Sequence, residues 1–152
     1  MQARLNAFKA APDLMKAVLS LSEAAMKSGI ESSLKELVKI RASQINGCAF
    51  CLEMHTREAR ALGESEVRLH LLAAWRESPL FNARERAALA WTEALTLVAE
   101  THAPDDAFAE ARVAFTDQEL TELTVAIGLI NLWNRIQVGF RAVHPMPQSQ
   151  AA

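Results

Sequence analysis

The segment from Leu123 to Phe140, LTVAIGLINLWNRIQVGF, constrains the fold more than any other part of the chain. Its apolar residues, wound as a helix, occupy most of the circumference. A helix that is hydrophobic all round must be buried on several sides. In a chain of 152 residues, such a helix is either the centre of a bundle or part of a subunit interface. Gly128 and Gly139 would allow close backbone approach there, at a cost of about 1 kcal/mol each relative to alanine. Asn131, Asn134 and Arg135 lie in the same stretch. Buried polar groups need partners, so these three are expected to link helices or subunits.

The rest of the chain is a series of helices with clear punctuation. Pro12 suits a first helical position, and Leu14, Ala17, Val18 and Leu21 follow at helical spacing until Gly29. Ser33-Leu34-Lys35-Glu36 has the pattern of a capping box and opens a helix through Leu37, Ile40 and Ile45, up to Asn46-Gly47. A helix over residues 48–62 should end at Gly63. The next, begun by Ser65, carries Val67, Leu69, Leu72 and Trp75 as far as Ser78-Pro79. Asn82-Ala83-Arg84-Glu85 is a second capping box, opening a helix over 83–100. Pro104 starts a short helix that ends near Phe115. Thr116-Asp117-Gln118-Glu119 is a third box, and the helix behind it should reach Val143, before Pro145 and Pro147. No strict alternation is long enough for a strand. A chain without Tyr and with only five Gly and five Pro suits helices better than a many-turned sheet. The expected fold class is all-α: one multi-helix domain over 1–152, with its core at about 12–142 and a disordered tail over 145–152.

Several function classes have no support. The net charge is −2 and no basic stripe interleaved with aromatics appears, so no nucleic-acid partner is expected. The longest apolar run, Val125 to Ile130, is far too short to span a membrane. The N-terminus MQARLNAFKAAPDLMK lacks the apolar core of a signal peptide, and a cytoplasmic location is the expectation.

The chemistry is concentrated at Cys48 and Cys51. A structural disulfide closing so small a loop would constrain the unfolded chain very little. In a reducing compartment this spacing points instead to redox or metal chemistry. On a helix, Cys48, Cys51 and His55 fall at i, i+3 and i+7, on one stripe. The two cysteine Cα atoms would lie about 5 Å apart, within the range a disulfide tolerates. Free backbone N–H groups and the positive end of the dipole in the first turn favour a thiolate, and His55 can take a proton. Nucleophile, resolving thiol and base are thus supplied by one short segment.

Blander readings stand beside this one. The cysteines could be buried structural thiols. A zinc site would need a fourth ligand, and there is no second C-x-x-C. Covalent haem attachment needs a His where Leu52 stands. Glu36, at the N3 position of the Ser33 box, is explained by helix capping alone. His70, His102 and His144 have no partners at ligand or catalytic spacing. Glu93 fits a snorkelling surface carboxylate better than a site residue.

The segment from Glu36 to His55, ELVKIRASQINGCAFCLEMH, closely resembles the core of the alkylhydroperoxidase D-like proteins, within the carboxymuconolactone decarboxylase superfamily. The family pattern is a Glu, a C-x-x-C twelve residues on, and a His four residues after the second Cys. Glu36, Cys48, Cys51 and His55 match all four positions. The stretches Arg84–Leu95 and Asn131–Arg135 are also similar to the family, and the resemblance covers roughly residues 12 to 142. It implies an all-helical trimer or hexamer that acts as a thiol peroxidase. In that reading Cys51 is oxidised by the hydroperoxide to a sulfenic acid, which Cys48 resolves into a disulfide, while Glu36 and His55 relay protons. It further implies an external dithiol reductant, of lipoyl type, or a peroxiredoxin partner, with no other cofactor and no metal. Helix-dipole reasoning makes Cys48 the more acidic thiol, whereas the resemblance makes Cys51 the peroxide-reactive one. His55 is one turn from Cys51 and two from Cys48, which sides with the resemblance. There is one departure: the best-known members carry a second His immediately before the second Cys, and here that position is Phe50. Two other readings stay open. One is a lactone decarboxylase, as in founding members of the superfamily, which lack the C-x-x-C pair. The other is a non-catalytic redox sensor or oligomeric scaffold.

Overall fold

The computed structural model of the chain describes residues 2–145, and every regular element among them is helical. Two N-terminal helices, α1 (Ala7–Ala10) and α2 (Pro12–Met26), lead into α3 (Ser32–Asn46) and α4 (Ala49–Ala61). Helix α5 (Glu66–Leu71) runs into a 3-10 segment (Leu72–Glu77). Then come α6 (Ala83–Thr96), α7 (Val98–Thr101), α8 (Asp105–Ala114) and α9 (Asp117–Gly139). The all-α expectation holds. The expected tail over 145–152 lies, apart from Pro145, outside the described residues.

Two of the three capping boxes form. Asn82 with Glu85, and Thr116 with Glu119, exchange side-chain and backbone bonds at the starts of α6 and α9, each cap contributing about 1 kcal/mol. The Ser33 box does not form. Helix α3 starts earlier, with Glu31 at its N-cap position and no side-chain cap. Ser33 therefore sits inside the first turn, and Glu36 turns inward to 2% exposure. Its carboxylate meets Lys39 and His55 there, and charge-assisted bonds in the interior outweigh a single helix-end bond.

Two expected helices are broken where no Pro or Gly announces it. Between α5 and Glu77 the backbone leaves helical geometry at Ala74 (φ −119°, ψ 31°). This lets Trp75 bury itself and donate its indole N–H to Glu93 Oε1 at 2.8 Å. The helix expected to run to Glu100 stops at Leu97 (φ −100°, ψ 30°), and the Thr101 hydroxyl takes up the freed carbonyl of Ala94 at 2.6 Å. Helix α9 ends at Gly139 rather than near Val143, because Arg141 turns left-handed (φ 55°) and closes the end.

Helix α3 is the hub of the bundle, packing against α4, α6 and α9. Its residues from Leu34 to Val38 are all buried. One face, with Leu34 and Val38, joins Ala88 and Trp91 of α6 and Leu123 and Ile127 of α9. The other, with Leu37 and Ile40, joins Leu72, Trp75 and Leu89. Truncating a fully buried leucine such as Leu37 to alanine would cost about 2–5 kcal/mol. Helix α9 touches α2, α3, α4, α6 and α8, the several-sided burial its sequence demands, yet Val125, Leu132 and Val138 remain exposed. Beyond the adjoining backbone of α9 itself, no atom of the described residues would come within 4 Å of a Cβ at Gly128 or Gly139, so neither marks a close approach of another helix within the chain.

Candidate active site

A two-residue corner sets the site. Helix α3 ends at Gly47 in the left-handed region (φ 65°), with the N–H of Gly47 bonded to Gln44 O and that of Cys48 to Ser43 O. This pair of bonds is the helix-ending arrangement that favours glycine. It delivers Cys48 as the N-cap of α4, where its sulfur accepts the N–H of Cys51 at 3.3 Å, as a serine oxygen would. Cys48 was expected inside the first turn; it stands one place before it. The dipole argument is unchanged, because the sulfur receives the free N–H directly.

Both cysteines are reduced and buried, with their sulfurs 2.7 Å apart. The hydrogen bond from the Cys51 thiol pulls the Cys48 thiol down from 9.0 to about 6, against burial and with help from the Cys51 backbone N–H and Asn134. The same bond, with burial and the neighbouring negative charge, pushes the Cys51 thiol up. Of the two, Cys48 is therefore the more acidic thiol.

His55 lies two turns along α4 from Cys48 and is buried. Its Nδ1 is 3.0 Å from Glu36 Oε2 and 3.1 Å from Glu58 Oε2. With Nδ1–H directed at carboxylates, Nε2 is the nitrogen left to accept or deliver a proton. Burial would raise the Glu36 carboxyl, but His55 and Lys39 overcome it and hold Glu36 below the usual carboxylate range. Glu36 is thus an interior carboxylate that orients an imidazole; the capping role expected from its spacing is not found.

Cys51 and His55 line a cavity of about 440 Å³, within the size range of small-molecule sites. Its walls are largely apolar, including Leu19, Met26, Leu129, Ile130 and Trp133. Phe50, in the place of the second His of the best-known relatives, lines it too. Cys48 does not line it. Behind the cysteines runs a polar seam. Asn46 donates to Asn131 Oδ1 and Asn134 Oδ1 at 2.9 and 2.8 Å, and Asn134 donates to Ser43 Oγ at 3.0 Å. The two asparagines expected to link helices do so, tying α9 to α3, and through Thr96 to α6. Arg135 bonds back within α9, to Asn131.

Glu36, Cys48, Cys51 and His55 are thus brought together, and Lys35, Lys39, Glu58, Ser43 and Asn134 join them. Glu58 at i+3 from His55, and Lys39 at i+3 from Glu36, were available as helical spacings. Glu93 proves not to be a surface carboxylate. It is half-buried, receives Trp75, Arg41 and Arg76, and ties α3 to α6 and the 3-10 segment. His70 and His102 are exposed. The ligand atoms of Glu36, His55 and Glu58 lie within 4.8 Å of one another and could converge on a metal ion. Lys39 already supplies the positive charge that such an ion would bring to Glu36, and neither cysteine belongs to that set.

The model of the carboxymuconolactone decarboxylase family matches residues 12–94, a span containing all four expected site residues. The chain belongs to this family. Within it, the chain is 38% identical over 138 residues to the uncharacterised Bacillus subtilis protein YdfG, covering 91% of this chain and 94% of that one. A crystal structure from Agrobacterium tumefaciens, of a protein of unknown function suggested to be the antioxidant defence protein AhpD, shares 51% identity. It superposes with a TM-score of 0.93 over 96% of this chain and 100% of that one. An uncharacterised peroxidase-related protein from Silicibacter shares the fold, with TM-score 0.76 at 21% identity over 85% of this chain and 69% of that one. The AhpD-like assignment within the family accords with the C-x-x-C pair. No helix among the described residues is long and apolar enough to cross a membrane.

Proposed function

We propose that the protein is a thiol peroxidase that reduces organic hydroperoxides through Cys51 and Cys48 and serves in antioxidant defence in the cytoplasm. The observation that carries this reading is the placement of Cys51. It faces an apolar cavity shared with the Glu36-oriented His55, and the Cys48 sulfur lies 2.7 Å behind it.

In the first step His55 takes the Cys51 proton. The thiolate attacks the terminal peroxide oxygen; an S–O bond forms and the O–O bond breaks. The departing alkoxide takes the proton back from His55 and leaves as an alcohol, and Cys51 becomes a sulfenic acid. Cys48 then attacks the Cys51 sulfur. An S–S bond forms, the S–O bond breaks, and hydroxide leaves as water after taking a proton from solvent. The low pKa of Cys48 in the reduced pair accords with this division of labour. An external dithiol supplies two electrons by exchange, becoming a disulfide itself and restoring both thiols. A lipoyl-type dithiol would fit that role, and a peroxiredoxin is the other redox partner with which the pair would exchange electrons.

The assembly we infer is a homo-oligomer, a trimer or hexamer. Leu14, Leu19 and Leu21 on α2, with Val125, Leu132 and Val138 on α9, present apolar surface that one chain leaves uncovered. Hydroperoxide consumption with a dithiol present tests the activity. The wild-type protein should turn over many equivalents per subunit and Cys51→Ser none; consumption of about one equivalent would mean a sensor rather than an enzyme.

A further inference from the structure

The wall of the cavity beside Cys51 includes a buried cation that no carboxylate among the described residues neutralises by contact. Lys35 is 3% exposed and lines the cavity. Its ammonium donates to two backbone carbonyls near the end of α2, Met26 O at 2.7 Å and Ser28 O at 3.4 Å. Glu31, Glu36 and Glu122 act on it only through space. The other charged groups on the cavity wall are taken, Lys39 by Glu36 and Glu58 by His55.

A buried ammonium without a carboxylate is costly. Burial, and then the positive charge of Lys39, pull the Lys35 ammonium below the usual lysine range. Closing the end of α2 accounts for the two carbonyl bonds. It leaves one of three N–H donors unassigned, and it does not account for a positive charge without a contacting carboxylate in a largely apolar wall. A ligand carboxylate would satisfy both.

We propose that the cavity takes an amphipathic organic acid, with an apolar body against Leu19, Leu129 and Trp133 and a single carboxylate answering Lys35. This rests on the peroxidase reading above for one consequence: the preferred substrate is the hydroperoxide of such an acid, reduced to the corresponding hydroxy acid, with Lys35 a binding residue and not part of the proton relay.

Calorimetric titration of the reduced, full-length protein with laurate and with dodecanol, both below their aggregation limits, tests the proposal without requiring any turnover. Laurate should bind about tenfold or more tightly, the scale of one hydrogen bond to a charged group. Lys35→Gln keeps a donor for Met26 O but removes the charge, and should close the gap. Lys35→Arg should preserve it. Equal affinities in the wild type, a preference that survives Lys35→Gln, or no binding of either ligand would overturn the proposal. Should Lys35→Gln fail to fold, as judged by circular dichroism, the wild-type ratio and its retention in Lys35→Arg decide. Absence of tert-butyl hydroperoxide turnover in the wild type would end the peroxidase reading while leaving the laurate preference to stand or fall by itself.

Discussion

Glu36 Oε2 and His55 Nδ1 lie 3.0 Å apart, both buried, although the residues belong to different helices and are nineteen positions apart in the chain. The corner at Gly47 folds α4 back on α3 and makes this contact possible. A carboxylate in that position fixes the imidazole tautomer.

If that contact serves proton transfer, Glu36→Gln and His55→Ala should both slow peroxide reduction while preserving the fold. General acid–base catalysis contributes about 10²- to 10⁴-fold, and the loss for His55→Ala should fall in that range. Because Glu36 has no part in capping α3, a slower rate in Glu36→Gln cannot be assigned to a frayed helix. Stopped-flow kinetics at fixed hydroperoxide concentration gives the comparison. An unchanged rate in Glu36→Gln would remove Glu36 from the mechanism.

The paired sulfurs predict an acid-suppressed resolving step. Loss of the Cys48 proton creates the thiolate that resolves the sulfenic acid, and that thiol is held at about 6. Ultraviolet thiolate absorbance of the reduced protein should therefore show one step centred near that pH, lost as the pH falls through it. Removing Asn134, which favours the thiolate, should move the step upward. A first thiol step near the ordinary cysteine value of about 8.5 would contradict the arrangement.

Gly47→Ala tests the corner itself. A Cβ there would meet nothing within 4 Å, so the penalty is conformational, about 1–2 kcal/mol for an L-residue held left-handed. Thermal unfolding should shift down by about 2–4 °C for each kcal/mol in a chain of this size. A neutral effect would mean that the turn relaxes without cost.

The fold was legible wherever a local signal and the tertiary need agreed. The Asn82 and Thr116 capping boxes start their helices as their spacing requires, and Cys51 and His55 share one face of α4 as helical periodicity dictates, with Cys48 at its N-cap. It misled where a tertiary contact outweighed a local one. Glu36 fits a capping box, but the interior offers it His55 and Lys39. The breaks at Ala74 and Leu97 have no Gly or Pro to mark them, because they serve the burial of Trp75 and the turn into α7. Lys35 and Lys39 look like ordinary helix-surface lysines in the sequence. Only the approach of both to Met26, at the end of α2, shows them to be walls of a cavity.

The uncovered apolar faces of α2 and α9 predict self-association. Light scattering at low micromolar concentration should give three or six times the 16.7 kDa of one chain, since an obligate interface buries more than about 2,000 Å². A mass near that of a single chain would mean that the exposed face of α9 needs no partner.

The most direct test of the account is the fate of one oxygen atom. Cys48→Ser protein, fully reduced and treated with one equivalent of an organic hydroperoxide, should gain a single oxygen, located on Cys51 by peptide mass spectrometry and trapped there for want of a resolving thiol. Cys51→Ser protein, treated identically, should leave Cys48 unmodified and the hydroperoxide intact. Oxygen found on Cys48 of the Cys51→Ser protein, with Cys51 of the Cys48→Ser protein untouched, would contradict the assignment of the cavity-facing sulfur as the one that reduces peroxide.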